Sequence, residues 1–151
     1  MEDRFERFSY LIFEIGRCWH KLAAEEMAKY GLKGPHAIYL TTLYKHDDGV
    51  TAPELCELCG KDKSDVSRMM SIMEKKGLVT KEGNNRSLYR GLFKLTAEGK
   101  KAALSVKGRA ELAVKNGGNG LDEKKRKALY DTLELITSNL KELCKEGIPE
   151  K

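Results

Sequence analysis

Ser64, Ser67, Arg68, Ser71 and Lys75 fall at offsets of 0, 3, 4, 7 and 11 along the chain, the spacing that puts side chains on one face of an α-helix. Such a face suits the oxygens of a polyanion. Serine is small enough for close approach, its hydroxyl can bond phosphate oxygens or base edges, and arginine is a common bidentate reader of guanine. Lys63 and Asp65 stand at the start of the same stretch, where the free N–H groups of a helix N-terminus add donors for phosphate. An acid here repels phosphate, so Asp65 reads in one of two ways. It is a helix-start residue favoured by the dipole, or it accepts from a cytosine amino group. The opposite face carries Val66, Met69, Met70 and Met73, which reads as core filling, since methionine fits irregular gaps. Taken alone, the hydroxyl and cation face is equally an ordinary solvated surface.

The elements around that stretch narrow the reading. Thr51 and Glu54 form a capping-box pair, with Val50 and Leu55 at the staple positions, and Gly60 follows where a left-handed cap belongs. A short helix therefore precedes the polar-faced one, which Asp62 caps over Lys63 to Lys76 and Gly77 ends. The order is helix, tight turn, helix. Residues 78–82 and 88–95 then read as two strands around "GNN" turn chemistry, with Arg86 near the tip and Arg90 close by. Thr96 caps a helix from Ala97 to about Lys115, "NGGNG" breaks the chain, and a last helix runs from Asp122 to about Cys144. Upstream, one long helix spans Asp3 to Tyr30, and a second starts at Pro35 and runs to about His46. The first has a heptad-like seam of Phe5, Phe8, Ile12, Ile15, Trp19 and Leu22, and the last has Leu129, Leu133, Ile136, Leu140 and Leu143. The fold class is mainly α with a small β-hairpin, in the winged helix-turn-helix plan.

The 151 residues carry a net charge of +5, spread unevenly. Residues 1–60 hold 7 basic and 10 acidic side chains, residues 61–101 hold 11 and 5, and residues 102–151 hold 10 and 8. The positive charge is thus focused on the helix-turn-helix and hairpin, which suits a polyanion such as nucleic acid but equally describes a solvated basic surface. No apolar run is long enough to span a bilayer, and the N-terminus lacks the pattern of a secretory signal. The expectation is a cytoplasmic protein without a membrane partner.

"VTAPELCELCGKDKSDVSRMMSIMEKKGLVTKEGNNRSLYRGLFKLTAEGK" resembles the core of a MarR-family transcriptional regulator. The resemblance rests on the T-x-x-E-L helix start, "DKSDVSR", "MEKKGLV" and "LFKLTAEGK", and it extends to the long first helix and the final helical pair. It implies a homodimer on double-stranded DNA with a pseudo-palindromic operator. Residues 33–96 would form the DNA-binding winged domain, and residues 1–32 and 97–151 the helical dimerisation region. Lys63, Ser64, Asp65, Ser67, Arg68, Ser71, Lys75, Arg86 and Arg90 would then face DNA. Phe5, Phe8, Ile12, Ile15, Leu133, Ile136, Leu140 and Leu143 would face the second subunit. The chain departs from the family in two respects. Its wing often carries Asp-x-Arg before the second strand, where this chain has Ser87 and Tyr89, and Asp65 replaces a small or hydroxyl residue.

Family members commonly bind small, often aromatic, effectors between the dimer helices and the winged domain, and some sense peroxide through a cysteine in the first helix. Trp19, His20, Tyr39 and Tyr44 are the residues here that could line such a space, unless they are plain core and interface residues. Cys18 is the matching candidate sensor. Cys56 and Cys59 form a C-x-x-C on an amphipathic helix. Packing, redox sensing and metal binding all remain open for them, but zinc needs four ligands and no second pair accompanies them. No cofactor or metal is expected. The chain has no P-loop, HExxH or nucleophile elbow, so no enzyme is expected. The leading expectation is a ligand- or redox-responsive repressor acting by promoter occlusion. The alternative is a winged-helix module that binds protein and no DNA.

Overall fold

Helix α1 (Arg4–Met27) starts where the Asp3 carboxylate accepts the Phe5 N–H at 3.0 Å. The structure, a computed structural model, describes residues 3–83 and 91–150. A 3-10 turn at Ala28–Tyr30 closes on Gly31, whose φ of 67° lets Leu32 donate back to the Met27 carbonyl at 3.1 Å. Pro35 sits in a second 3-10 turn, Gly34–His36, and α2 (Ala37–Tyr44) follows. The helix is shorter at both ends than its sequence pattern predicts, starting at Ala37 rather than Pro35 and ending at Tyr44 rather than His46. Glycine is required at position 34. A Cβ there would fall 2.8 Å from the His20 carbonyl oxygen and 2.9 Å from the Ala24 nitrogen, so the turn lies directly against the α1 backbone.

Helix α3 (Ala52–Cys59) has the expected capping box. Thr51 Oγ1 accepts the Glu54 N–H at 3.3 Å and Glu54 Oε2 accepts the Thr51 N–H at 2.8 Å. Gly60, at φ 62°, turns the chain toward α4 (Lys63–Lys75). Asp62 caps α4 by accepting the Asp65 N–H at 2.7 Å. The "EKKGLV" segment ends α4 in a Schellman motif. Gly77 donates to Glu74 at 3.0 Å and Leu78 to Met73 at 2.9 Å. Strand β1 (Val79–Glu82) pairs antiparallel with β2 (Leu92–Leu95), Val79 facing Leu95 and Glu82 facing Leu92. Phe93 exchanges two backbone hydrogen bonds with Val50, at 2.8 and 3.0 Å, adding a one-residue third strand.

The "LTAEGK" segment explains itself at the start of α5 (Ala97–Gly117). Thr96 donates its hydroxyl to the Gly77 carbonyl at 2.6 Å and accepts the Gly99 N–H at 3.0 Å. Its backbone N–H bonds the Leu78 carbonyl at 3.0 Å. One residue thus caps α5 and ties it to the end of α4.

The chain divides into two compact units, Met1–Ala113 and Val114–Lys151, with the boundary inside α5. The first unit has a continuous core. Tyr39, Leu40 and Leu43 from α2, Leu55 from α3, and Val66, Met69, Met70 and Met73 from α4 are buried with Val50, Val79, Phe93, Ala102 and Val106. Each large apolar side chain withdrawn from water contributes about 1.5–3 kcal/mol, so this core fixes α4 against α2, α3 and the hairpin. In the second unit the glycine-rich turn is held by Gly118 donating to Val114 at 2.9 Å and Leu121 to Gly118 at 3.1 Å. Asp122 then caps α6 (Glu123–Glu146), which runs two residues beyond the expected end.

Candidate nucleic-acid interface

Helix α4 is amphipathic because its core face is fixed by four buried residues, Val66, Met69, Met70 and Met73. The remaining arc is turned outward by default. Lys63, Ser64, Ser67, Arg68, Ser71 and Lys75 are all exposed on it. The structure therefore brings six of the seven α4 candidates together on one solvent face. Ile72 is half-buried and packs against the core.

Asp65 is different: it stands in the first turn of α4, as the helix-dipole reading expects. Its carboxylate is partly buried and engaged at both oxygens. Oδ2 accepts a hydrogen bond from the Tyr39 hydroxyl and Oδ1 accepts one from Arg68 Nη2 at 2.9 Å. The Tyr39 hydrogen bond and the Arg68 guanidinium hold this carboxyl below the ordinary aspartate range, against the opposing effect of burial. Burial and the same carboxylate push the Tyr39 phenol well above its usual value. Asp65 is thus ionised and internally paired at neutral pH.

The hairpin adds cations at its base. Lys94 pairs with Glu82 at 2.9 Å, and the Lys81 ammonium lies 5.5 Å from the centre of the Phe93 ring directly across the ladder. Arg86 and Arg90, the expected wing contacts, and Ser87 and Tyr89, the departures from the family pattern, lie outside the described residues.

The other expected site residues do not converge. Cys18, Trp19 and His20 are exposed on α1, Tyr39 is buried beneath α4, and Tyr44 is half-buried against the core. Two shallow, open grooves lie on the described surface. One is lined by Asp3, Arg4, Phe5 and Phe8, the other by Tyr130, Leu133, Glu134, Thr137, Ser138 and Lys141. Neither includes any of the five expected effector or sensor residues. Cys59 is buried with its thiol donating to Thr42 Oγ1 at 3.6 Å, and burial raises its pKa. Cys56 is half-buried beside it. Among the described residues no three His, Cys, Asp or Glu side chains cluster as a metal site, and no helix is long and apolar enough to cross a membrane.

The seam residues face outward. On α1, Phe5, Phe13 and Ile15 are 72, 68 and 65% exposed, and Phe8 and Ile12 are exposed with them. On α6, Leu133, Leu140 and Leu143 are exposed and Ile136 is half-buried. Two buried polar features escaped the sequence reading. Glu26 is only 5% exposed, yet it is charged. It accepts from Lys29 Nζ at 2.7 Å and from the Ser105 hydroxyl, so it ties α1 to α5. These bonds hold its carboxyl below the usual range. His36 packs a tilted ring against Tyr39, its Nδ1 buried and without a hydrogen-bond partner among the described residues, and burial lowers its pKa. Burial of Glu26 escapes a local reading because Ser105, its second partner, comes from a distant segment.

Helix-turn-helix α3–α4 followed by an antiparallel hairpin and seated on a shared core is a winged helix-turn-helix. Residues 30–86, the helix-turn-helix and the start of the hairpin, match the model of the MarR family. Solved structures share the fold over nearly the whole chain. A Listeria monocytogenes structure, assigned to the MarR-family transcriptional regulators and complexed with a 26mer DNA, superposes with a TM-score of 0.79 at 21% identity, covering 100% of this chain and 99% of that one. A MarR transcriptional regulator from Methanosarcina mazei gives 0.79 at 20% identity, covering 91% and 99%. The Staphylococcus aureus MepR–DNA complex gives 0.78 at 19% identity, covering 87% and 97%. No curated protein matches the chain by sequence.

Proposed function

We propose that the chain is a homodimeric transcriptional regulator that inserts α4 into the major groove of double-stranded DNA and represses by occluding a promoter. The observation that carries this reading is the outer face of α4, where Ser64, Ser67, Arg68, Ser71 and Lys75 stand exposed while the methionine face is sealed in the core. A helix of this width fits the major groove, and small hydroxyls beside one arginine combine phosphate contacts with a guanine reader. The charge focused on residues 61–101 supports it, as do the fold neighbours solved with DNA. MarR-family regulators act by binding DNA and not as enzymes.

In this reading residues 33–96 bind DNA, and the helices of residues 1–32 and 97–151 join two subunits. The support is the exposed aromatic and aliphatic face of α1 and the leucine face of α6. Soluble monomers rarely leave apolar faces of this extent in water, and a twofold partner is the commonest cover. Two subunits would set two α4 helices one helical turn of DNA apart, about 34–36 Å, on a pseudo-palindrome. A response to oxidant would begin at the exposed Cys18 of α1. A response to a small molecule would need the space that the second subunit encloses. The test is Arg68→Ala against a duplex selected from random sequence with the wild-type protein. Its affinity is expected to fall by about 1–3 kcal/mol, with relaxed preference at one base pair. An unchanged affinity removes α4 from the reading.

A further inference from the structure

The DNA-facing arginine is not a lone side chain on a mobile tether. Arg68 is bonded at 2.9 Å to Asp65, one turn earlier on α4. On most helix surfaces such an i,i+3 pair contributes little, because both partners move. Here the acid is fixed at two further points, and one of them is anchored in the core. Its second oxygen takes the hydroxyl of Tyr39, its own N–H is bonded to Asp62 at 2.7 Å, and Tyr39 itself is fully buried in α2 with the His36 ring against it. The anchor therefore starts in the core, 26 residues away in sequence, and ends at the guanidinium on the groove face.

We propose that Asp65 is a positioning residue: a Tyr39–Asp65–Arg68 relay aims the arginine, and base discrimination depends on the relay rather than on Arg68 alone. The inference rests on the reading of α4 as the recognition helix. Arginine carries about 2 kcal/mol of rotamer entropy, and a guanidinium already held in place loses less of it on binding. The relay also accounts for an acid on a face meant for phosphate. Asp65 remains a cost in non-specific binding, and what it returns is orientation.

That trade gives a signature that loss of folding cannot mimic. The experiment measures affinity of the full chain for its selected duplex and for a scrambled duplex of equal length, for Asp65→Ala, Tyr39→Phe, Arg68→Ala and the double variant Asp65→Ala/Arg68→Ala. Asp65→Ala is expected to bind scrambled DNA as tightly as the wild type or more tightly, since one repelled charge is gone. Its selected-to-scrambled ratio should fall about tenfold, within the discrimination of one bidentate contact. Tyr39→Phe should lower the ratio several-fold without altering scrambled affinity. With Arg68 already removed, Asp65→Ala should change the ratio no further. The relay is overturned if the ratio is unchanged in Asp65→Ala, or falls equally with and without Arg68. Should Asp65→Ala fail to fold, Tyr39→Phe, which deletes one oxygen from a buried ring, decides alone. A wild type that binds both duplexes alike removes the recognition-helix reading and the relay together. A discriminating wild type with indifferent variants removes the relay only.

Discussion

Gly99→Ala is expected to destabilise the protein although it replaces the residue with the better helix former. A Cβ at position 99 would lie 2.0 Å from the Leu78 carbonyl oxygen and 2.9 Å from its carbon. An aliphatic carbon needs about 3.3 Å from such an oxygen, so α5 or residue 78 must retreat by more than ~1 Å. The obstacle is backbone, and that oxygen also accepts the Thr96 N–H at 3.0 Å. Forcing extra volume into a tight contact costs about 1–3 kcal/mol, and loss of the Thr96 bond adds about 1 kcal/mol. The helix propensity of alanine returns at most about 1 kcal/mol. The expected net loss is thus ~2 kcal/mol, with the steric effect deciding the sign. Gly108→Ala in the same helix is the control, because beyond the local helix backbone nothing described lies within 4 Å of its Cβ position. It should gain up to about 1 kcal/mol. Urea unfolding at one fixed protomer concentration reads both as shifts in midpoint at constant slope. A Gly99→Ala protein as stable as the wild type would refute the account of "LTAEGK" as a contact motif.

Glu26→Gln should cost about 1 kcal/mol at neutral pH, because it loosens the link to Ser105 and removes the charge facing Lys29. The carboxyl is held low in the folded chain, so its contribution is complete above the unfolded value of about 4.3 and is lost as pH falls through the folded one. Unfolding midpoints followed from pH 7 down should therefore drop less steeply for Glu26→Gln than for the wild type; parallel curves would deny the carboxylate this role. Ile12→Glu/Ile15→Glu on the exposed face of α1 is expected to convert a dimer to a monomer in sedimentation equilibrium. A wild type that is already monomeric at micromolar concentration would contradict the proposed use of that face.

The capped helix ends are legible because their signals act over three or four residues, whereas the uncapped ends of α2 and the end of α6 are each displaced by two residues. Thr51 with Glu54, Asp62, Gly77, Thr96 and Asp122 all cap as their types and spacing predict. The methionine face of α4 was legible for a similar reason, since periodicity alone separates inside from outside. What stayed hidden were pairings across the fold. Tyr39 reads as one more aromatic residue until α2 is laid beneath α4, and only then does Asp65 acquire a partner. Glu26 and Ser105 are 79 residues apart, and neither type predicts a buried contact. Val50 was legible as a staple but not as a strand partner of Phe93. The seams of α1 and α6 illustrate the remaining limit. Spacing shows that a face is apolar, yet it says nothing of what covers it, and in this chain those faces stay exposed.

The central claim is that this protein binds DNA through a basic winged helix-turn-helix and chooses its sequence. Fluorescence anisotropy tests it directly, by titrating the chain onto the intergenic DNA upstream of its own gene and onto a scrambled duplex, each at about 50 and 200 mM salt. Affinity for the native duplex is expected to exceed that for the scrambled one by ~10³-fold or more. Both should weaken steeply with salt as phosphate counterions are released. Equal, weak and salt-insensitive binding to both duplexes would contradict the claim and leave the winged helix to a protein partner.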